Sequence, residues 1–534
     1  MQHLSALDAL FLQLESPQTP MHVGGLILLH KPAKHRGSFF RAFRRHIESR
    51  LHLAPLFTRK LMFMPLDLAN PVWRHDDSVD LDYHIRSLTL PMPGTQAQLE
   101  ACIAKLHAML LDRDRPLWEF FVIEGLKSGE VAFYCKIHHA TLDGQGGVAL
   151  AQALLDTDPV PRAVAPADQP AQGGMKLSAA KMLGAAFRNT VAQYSKIARA
   201  VPGAVRLAGA IGAAALSKRA AAKSSARAGS NPGSSADADL KALVPKGTIL
   251  GPRTAWNVAL QAPRVFVTLR LPLDEAKHIA RNFDAKLNDV VLAVCSGGLR
   301  RYFAAHGGIP GKPLIGAVPA SLRAPGDTSQ SNQVTMMLVS LATNTADAVQ
   351  RLKLIGAAST KAKTLTGGMK SVIPTDLPSL GVPWLMSLFT SLYNNPAVAN
   401  RIPVLANLVI SNVPGPQVPL YLAGAKMMSY YPVSIAAHGL GLNITVQSYN
   451  GGLDFGFIAC KKAVPDLRLM ARFVKEAHEE LLQAAASPGL GAATPKKRSP
   501  ASQTGNAKKL PARAKGKPGL KKPASAGATT RKHA

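Results

Sequence analysis

The sequence predicts an α/β protein built as two domains joined by a long basic connection. Three observations predict it. The chain has 534 residues, more than one hydrophobic core usually holds, and 47% of them are apolar. Short strand-like apolar runs alternate with runs of helical period in two dense stretches, one up to Asp156 and one from Arg253 to about Ala486. Between and after these stretches the composition shifts to Ala, Pro, Ser and Gly with scattered Lys and Arg. The expected division is therefore 1–156, a crossover at 157–252, 253–486, and a tail at 487–534.

In the first stretch Val23–Leu29 reads as a strand and Ser38–Leu51 as a basic helix opened by a Ser38 cap. Tyr83–Leu88 is strand-like. Gln96–Leu111 places Leu99, Ile103, Leu106 and Leu110 at helical spacing. Pro116–Ile123 and Val131–Ile137 read as two adjacent strands, a hairpin that delivers the residues after Ile137 into the interior, and a helix starts at Gly146. In the second stretch Val265–Leu271 alternates as a strand. Leu273–Phe283 and Leu287–His306 read as helices. Leu314–Pro319 and Val334–Val339 are strands, and Leu408–Val413 is a strand that runs into the rigid turn Pro414-Gly415-Pro416. Leu442–Tyr449 and Leu453–Ile458 flank Asn450-Gly451-Gly452, a hairpin signal. Leu467–Ala485 closes the domain as a helix.

The connection holds an Ala-rich part, Met175–Ala222, with two helical segments broken near Pro202. Ser224–Asp239 has the composition of a disordered segment. The basic helical part is either a solvated linker or a surface-seeking helix for anionic lipid. From Gly491 to Ala534 the tail carries twelve Lys and Arg and no Asp or Glu. It cannot bury a core of its own and reads as a polycation.

Lys and Arg outnumber Asp and Glu by 63 to 32, a net charge of +31. A balance this basic favours anionic partners, whether phosphate-bearing ligands, anionic lipid or nucleic acid. None of the four cysteines stands in CxxC spacing, and Cys135 and Cys295 sit in apolar runs as core residues, which fits a reducing compartment. The first residues lack a basic region followed by an apolar core, so no signal peptide is expected. No stretch reaches the roughly 18 to 20 apolar residues of a membrane span; the nearest, Leu207–Leu216, is bracketed by Arg206 and Lys218. The expectation is a cytoplasmic protein, at most peripherally attached to the inner face of the membrane or to lipid inclusions.

The chemistry concentrates in His138-His139-Ala140-Thr141-Leu142-Asp143-Gly144, directly after a strand. Adjacent residues at a strand end point to opposite sides, so one histidine can act while the other packs. A neutral imidazole beside a hydroxyl or thiol can take its proton. Asp143 could orient that ring or pair with an arginine to fix the loop, and Gly144 leaves room for a ligand. A buried histidine pair with a capping aspartate is the plainer alternative. A metal site is disfavoured, because adjacent histidines rarely reach one ion and no third ligand cluster stands nearby. A serine nucleophile is disfavoured too, since the chain lacks a GxSxG element here.

This stretch fits the HHxxxDG motif of the CoA-dependent acyltransferase superfamily, which includes chloramphenicol acetyltransferase and peptide-synthetase condensation domains. Within it the chain resembles the bacterial wax ester synthase/diacylglycerol acyltransferase family. The opening Leu4-Ser5-Ala6-Leu7-Asp8 and Met21-His22-Val23-Gly24 match its start. Pro116-Leu117-Trp118, Asn288-Asp289, Ser411-Asn412-Val413-Pro414-Gly415-Pro416 and Gly441-Leu442-Asn443-Ile444-Thr445 match its further motifs in order. The resemblance covers about Leu4 to Ala485, without the low-complexity middle.

The resemblance implies two chloramphenicol-acetyltransferase-like domains, each a mixed sheet with helices, and a tunnel between them. It implies an acyl-CoA-dependent O-acyltransferase that makes triacylglycerol from diacylglycerol, wax esters from long-chain alcohols, or both. His139 is the implied base for direct attack of the alcohol on the thioester, with acyl-CoA as co-substrate and no metal or other cofactor. His138 supports the geometry and Asp143 anchors the loop. Asn288 and Asp289 either cap a helix or meet substrate, Trp118 packs as core, and Ser411 and Asn412 line the tunnel or donate to the oxyanion. An anionic membrane or lipid-inclusion surface is the expected partner of the body, and polyanions that of the tail. The rival from another class is a non-catalytic lipid-surface or nucleic-acid-binding protein on this scaffold. Acylation of a different hydroxyl or amine, as in condensation domains, is weakened by the lack of any carrier domain.

Overall fold

The computed structural model describes residues 2–4, 6–32, 37–63, 70–142, 146–166, 250–321, 334–369, 393, 395–396, 400 and 403–487. Asp143, Gly144, most of the 157–252 connection and the tail beyond Ser487 lie outside the described residues. The first half lays down β1 (Gln2–His3), α1 (Ala6–Leu14), β2 (His22–His30), α2 (Phe39–Glu48), β3 (Arg59–Met62), β4 (Val72–His75) and α3 (Leu81–His84). It continues with β5 (Ile85–Thr89), α4 (Gln96–Ala108), β6 (Trp118–Glu124), β7 (Val131–His138) and α5 (Gly146–Leu154). The second half adds β8 (Arg264–Pro272), α6 (Leu273–Asn282), α7 (Leu287–Ala305), β9 (Ile315–Ser321), β10 (Val334–Ser340), α8 (Ala348–Met369) and β11 (Leu408–Val413). It ends with β12 (Tyr421–Leu422), β13 (Ala425–Val433), β14 (Leu442–Tyr449), β15 (Gly452–Cys460) and α9 (Leu467–Ala486).

Local chemistry explains these elements. Ser38 caps α2, its hydroxyl accepting from the Arg41 N–H. Thr95 and Gln98 close a capping box on α4, whose Leu99 and Ile103 are fully buried. Asn450 and Gly451 both take positive φ, 41° and 78°, which gives the β14–β15 hairpin the turn its twist requires. One reading is corrected: Tyr83 and His84 belong to a one-turn helix, because the Asp80 carboxylate accepts from the N–H groups of Asp82 and Tyr83 and bends the chain before β5 begins. β1, α1, β3, β4, α8, β12 and β13 stand where the sequence predicts no element.

Two six-stranded mixed sheets carry the fold. The second runs β10-β9-β11-β14-β15-β8, with β11 parallel to both of its neighbours. The first runs β12-β13-β2-β7-β6-β5, so two strands from the second half of the chain complete the sheet of the first half. β13 pairs with β2 from Lys426 against His30 to Val433 against Gly24. The two sheets meet closely where β13 passes β15. A Cβ on Gly456 would stand 1.7 Å from the Pro432 carbonyl oxygen, so only glycine fits there. One buried cluster spans the joint, with Leu26, Phe121, Tyr134 and Val433 from one sheet against Phe266 and Ile458 from the other. The edge of β8 is covered from the other half: the Glu100 carboxylate of α4 accepts from Thr268 N (2.9 Å) and Thr268 Oγ1 (2.6 Å) and pairs with Arg468.

Several histidines are built into this framework as neutral rings. Burial holds His22, His46, His84 and His107 below the ordinary imidazole range, His107 down to about 3. His46 Nε2 donates to Leu154 O (2.8 Å) and His84 Nδ1 to Trp118 O (2.7 Å). The unfolded chain therefore takes up protons first as pH falls. Stability is complete above about pH 6.5 and declines below it, by up to about 1.4 kcal/mol per pH unit for each such ring. The urea midpoint is expected to drop between pH 7 and pH 5; a midpoint that stays level would contradict neutral burial of these rings.

Candidate active site

His138 is the last residue of β7, and its N–H donates to Leu117 O (3.0 Å). The chain then turns through a short 3-10 helix, His139–Thr141, and the His139 N–H donates to Met21 O (2.9 Å). His138 is fully buried and His139 half-buried. The two rings thus differ in surroundings as their opposite directions from the strand predict.

His138 Nδ1 accepts from the Ala140 N–H at 3.1 Å, so in the neutral ring the proton sits on Nε2. That nitrogen lies 3.4 Å from Glu15 Oε1, out of line for a hydrogen bond but well within reach of the carboxylate's field. The side chain of Glu15 is itself buried. Its Oε1 accepts from the Met21 N–H (3.2 Å), and its Oε2 accepts from Arg113 Nε (3.2 Å) and Nη2 (2.9 Å). Burial pushes the Glu15 carboxyl upward, but His138 and Arg113 beside it outweigh that and hold it below its ordinary value. An ionised carboxylate thus stands behind the histidine turn.

The His139 ring stacks on Phe11 of α1, with ring centroids 4.1 Å apart and planes 22° apart. Its Nδ1 is buried without a hydrogen-bond partner among the described residues. Burial lowers the ring to about 4, its own backbone carbonyl working weakly the other way and His138 adding to the drop. At neutral pH His139 is an uncharged imidazole.

The Pro116-Leu117-Trp118 motif lies beside this turn as framework. Trp118 opposes Ile137 in the β6–β7 pair, is fully buried, stacks on His84 at 4.2 Å and donates Nε1 to Phe57 O (3.1 Å). Leu117 is buried in a cluster with Leu12 and Ala140. Asn288 and Asn412 come together elsewhere, Asn412 Nδ2 donating to Asn288 Oδ1 at 3.5 Å. Asp289 is buried at the third position of α7 and accepts from the Lys286 N–H (3.3 Å), so it caps the helix from inside its first turn. Ser411 points to the other face of β11 from Asn412, beside Thr445 of β14. Among the described residues no hydrogen bond or ion pair links the Asn288–Asn412 group to the histidine turn.

Three side chains at the site went unread in the sequence: Phe11, Glu15 and Arg113. The only signal for them was the opening Leu4–Asp8 resemblance, which marks the start of α1 but not its C-terminal end. Among the described residues no group of three or more His, Cys, Asp and Glu is placed to hold a metal ion.

The fold is similar to that of solved proteins. A wax ester synthase/diacylglycerol acyltransferase from Marinobacter aquaeolei VT8 aligns over 91% of this chain and 100% of its own, with a TM-score of 0.63 and 28% identity. The first condensation domain of the calcium-dependent antibiotic synthetase aligns over 91% and 98%, with a TM-score of 0.50 and 12% identity, a likeness of fold alone. Two mixed sheets of this type, with a histidine pair at the end of a central strand, define a two-domain acyltransferase of the chloramphenicol-acetyltransferase and condensation-domain fold.

The family follows from the sequence comparisons. The wax ester synthase/diacylglycerol acyltransferase catalytic domain matches residues 4–291 and the family's C-terminal domain matches residues 330–482. A Mycobacterium tuberculosis protein assigned as a diacylglycerol O-acyltransferase is 35% identical over 484 residues, 90% of this chain and 99% of its own. A similarly assigned Mycobacterium bovis protein is 33% identical over 492 residues, 89% of this chain and 98% of its own. The chain belongs to the wax ester synthase/diacylglycerol acyltransferase family.

Proposed function

We propose that the protein transfers a fatty acyl group from acyl-CoA to the hydroxyl of diacylglycerol or a long-chain alcohol, with His139 as general base. The observation that carries this is the uncharged His139 ring, stacked on Phe11 directly after β7. Because Nδ1 is the buried nitrogen, Nε2 is the one that takes the hydroxyl proton. The alkoxide oxygen attacks the thioester carbonyl, the oxyanion collapses, and the sulfur leaves with the proton from His139 as free CoA. Ester and thiol account for every atom, so neither an acyl-enzyme nor a further cofactor is required.

His138 and Glu15 act as positioning residues. The buried Glu15 carboxylate favours the Nε2–H form of His138, and that form accepts the Ala140 N–H that shapes the turn. Asn288 and Asn412, as a hydrogen-bonded pair, shape the wall of the acyl or alcohol channel rather than the reacting centre. Among the described residues no helix is long and apolar enough to cross a membrane. Our reading is that the strong positive charge holds the protein against anionic lipid, at the inner membrane face or on lipid inclusions, where both acceptors reside, with the tail engaging polyanions.

Thiol release from palmitoyl-CoA with diolein or with hexadecanol tests the reading and ranks the acceptors; no release with either would refute it. The pH profile is a second check. With His139 charged only near pH 4, kcat/KM is expected to stay flat from pH 8 to pH 6. An acid limb centred near 6.5 would show a solvated imidazole and contradict the desolvated base.

A further inference from the structure

The second half carries a cleft that the reaction above does not employ. Its volume is about 420 Å³, and it lies between the segment around Arg253–Gln261 and the turn after β15. Arg253, Lys462, Gln261 and Asn400 stand around it, with Val258 and Cys460 in its wall. Among the described residues no carboxylate lines it. Two cations and two amide donors, with no acid among the described residues of the lining, make a space that suits an anion.

The cleft wall is rigidly built. The buried Asn257 amide accepts from Thr254 N (3.1 Å) and Thr254 Oγ1 (2.6 Å) and donates to Asn407 O (3.0 Å) and Gly439 O (2.7 Å). The Arg253 guanidinium is oriented by a bond from Nη1 to Asn257 O (2.8 Å). Asn400 Oδ1 accepts the Ala259 N–H (2.8 Å), which leaves the donor end of that amide for a ligand. Lys462 makes no ion pair among the described residues.

From its other side the same segment is tied to the histidine turn. Buried Arg264 donates to the carbonyls of Gln261 and Ala262, and across the joint to Gln18 O. Gln18 sits in the bend between Glu15 and Met21, and Met21 O receives the His139 N–H. Leu260 N–H donates to His438 Nδ1 (2.9 Å), in the loop that joins β13 to β14. The cleft is therefore next to the joint between the two halves, at the pole where β7 ends.

We infer that this cleft binds the phosphate groups at the nucleotide end of the acyl donor, an inference that rests on acyl-CoA being that donor. A neutral alcohol or an alkyl chain needs neither the cations nor the open mouth. A phosphorylated lipid headgroup would present the same chemistry, so the test separates the two sources.

The full-length chain with Arg253→Ala and Lys462→Ala is compared with wild type. Both side chains are exposed, so the fold is expected to persist. KM for palmitoyl-CoA is expected to rise about tenfold, with kcat and the KM for the alcohol unchanged. Palmitoyl-pantetheine, which has no phosphate, is expected to serve both proteins equally. An unchanged KM for palmitoyl-CoA, or an equal loss with palmitoyl-pantetheine, overturns the inference. So does a double variant that keeps its KM but no longer floats with phosphatidylglycerol-containing vesicles, since the phosphate is then a lipid's. Calorimetry with free CoA reads the cleft even if transfer is never observed: weaker binding by the double variant supports it, and equal binding overturns it.

Discussion

Replacing His139 by alanine lowers the rate of thiol release from palmitoyl-CoA by about a thousandfold, within the range for loss of a general base. The protein stays folded. His139 is half-buried, and what its side chain loses among the described residues is the stack on Phe11, worth about 1 kcal/mol. His138→Ala is the contrast. It removes the ring that accepts the Ala140 N–H and sits 3.4 Å from the buried Glu15 carboxylate, so activity and thermal midpoint fall together. Retained turnover in the His139 variant, with a normal melting curve, would end the base assignment.

Trp118→Ala destabilises the protein by about 3 to 5 kcal/mol, the range for emptying a large aromatic site in a core. Trp118 is fully buried and packs between His84, Phe57 and Phe120, with centroids at 4.2, 5.3 and 4.6 Å. Its loss also orphans the Phe57 carbonyl that its indole N–H satisfies. Trp118→Phe fills most of that volume and is expected to keep most of the turnover per folded molecule. Denaturation midpoints paired with rates decide it: full stability with lost turnover in Trp118→Ala would mean that the indole touches substrate.

Elements whose signals are local were legible in the sequence. The Ser38 and Thr95 caps, the Asn450-Gly451 turn and the apolar runs of β7 and β15 depend on neighbours a few residues away, and periodicity reads them well. What was not legible depends on distant pairing. β13 reads Ala-Lys-Met-Met-Ser-Tyr-Tyr-Pro-Val, irregular in polarity and bulged between Met427 and Ser429, and its partner is β2. The histidine pair was visible because its residues are contiguous. Its support was not, since Glu15 and Arg113 are 98 residues apart and only folding brings them to His138. Asn288 and Asn412 were both singled out, but their approach across 124 residues was not visible.

The strand that β13 lends to the first sheet sets a clock on synthesis. About 400 residues separate His30 from Ala425. At ~5–20 residues per second, β2 leaves the ribosome about 20 to 80 seconds before its neighbour exists. Throughout that interval its outer edge, with Leu26, Ile27 and Leu29 beside it, has unpaired N–H and C=O groups that another nascent chain could pair with. The nascent first half is thus a natural client for a chaperone. Yield on overexpression should respond more to slowed translation or holdase supply than to changes at the finished surface.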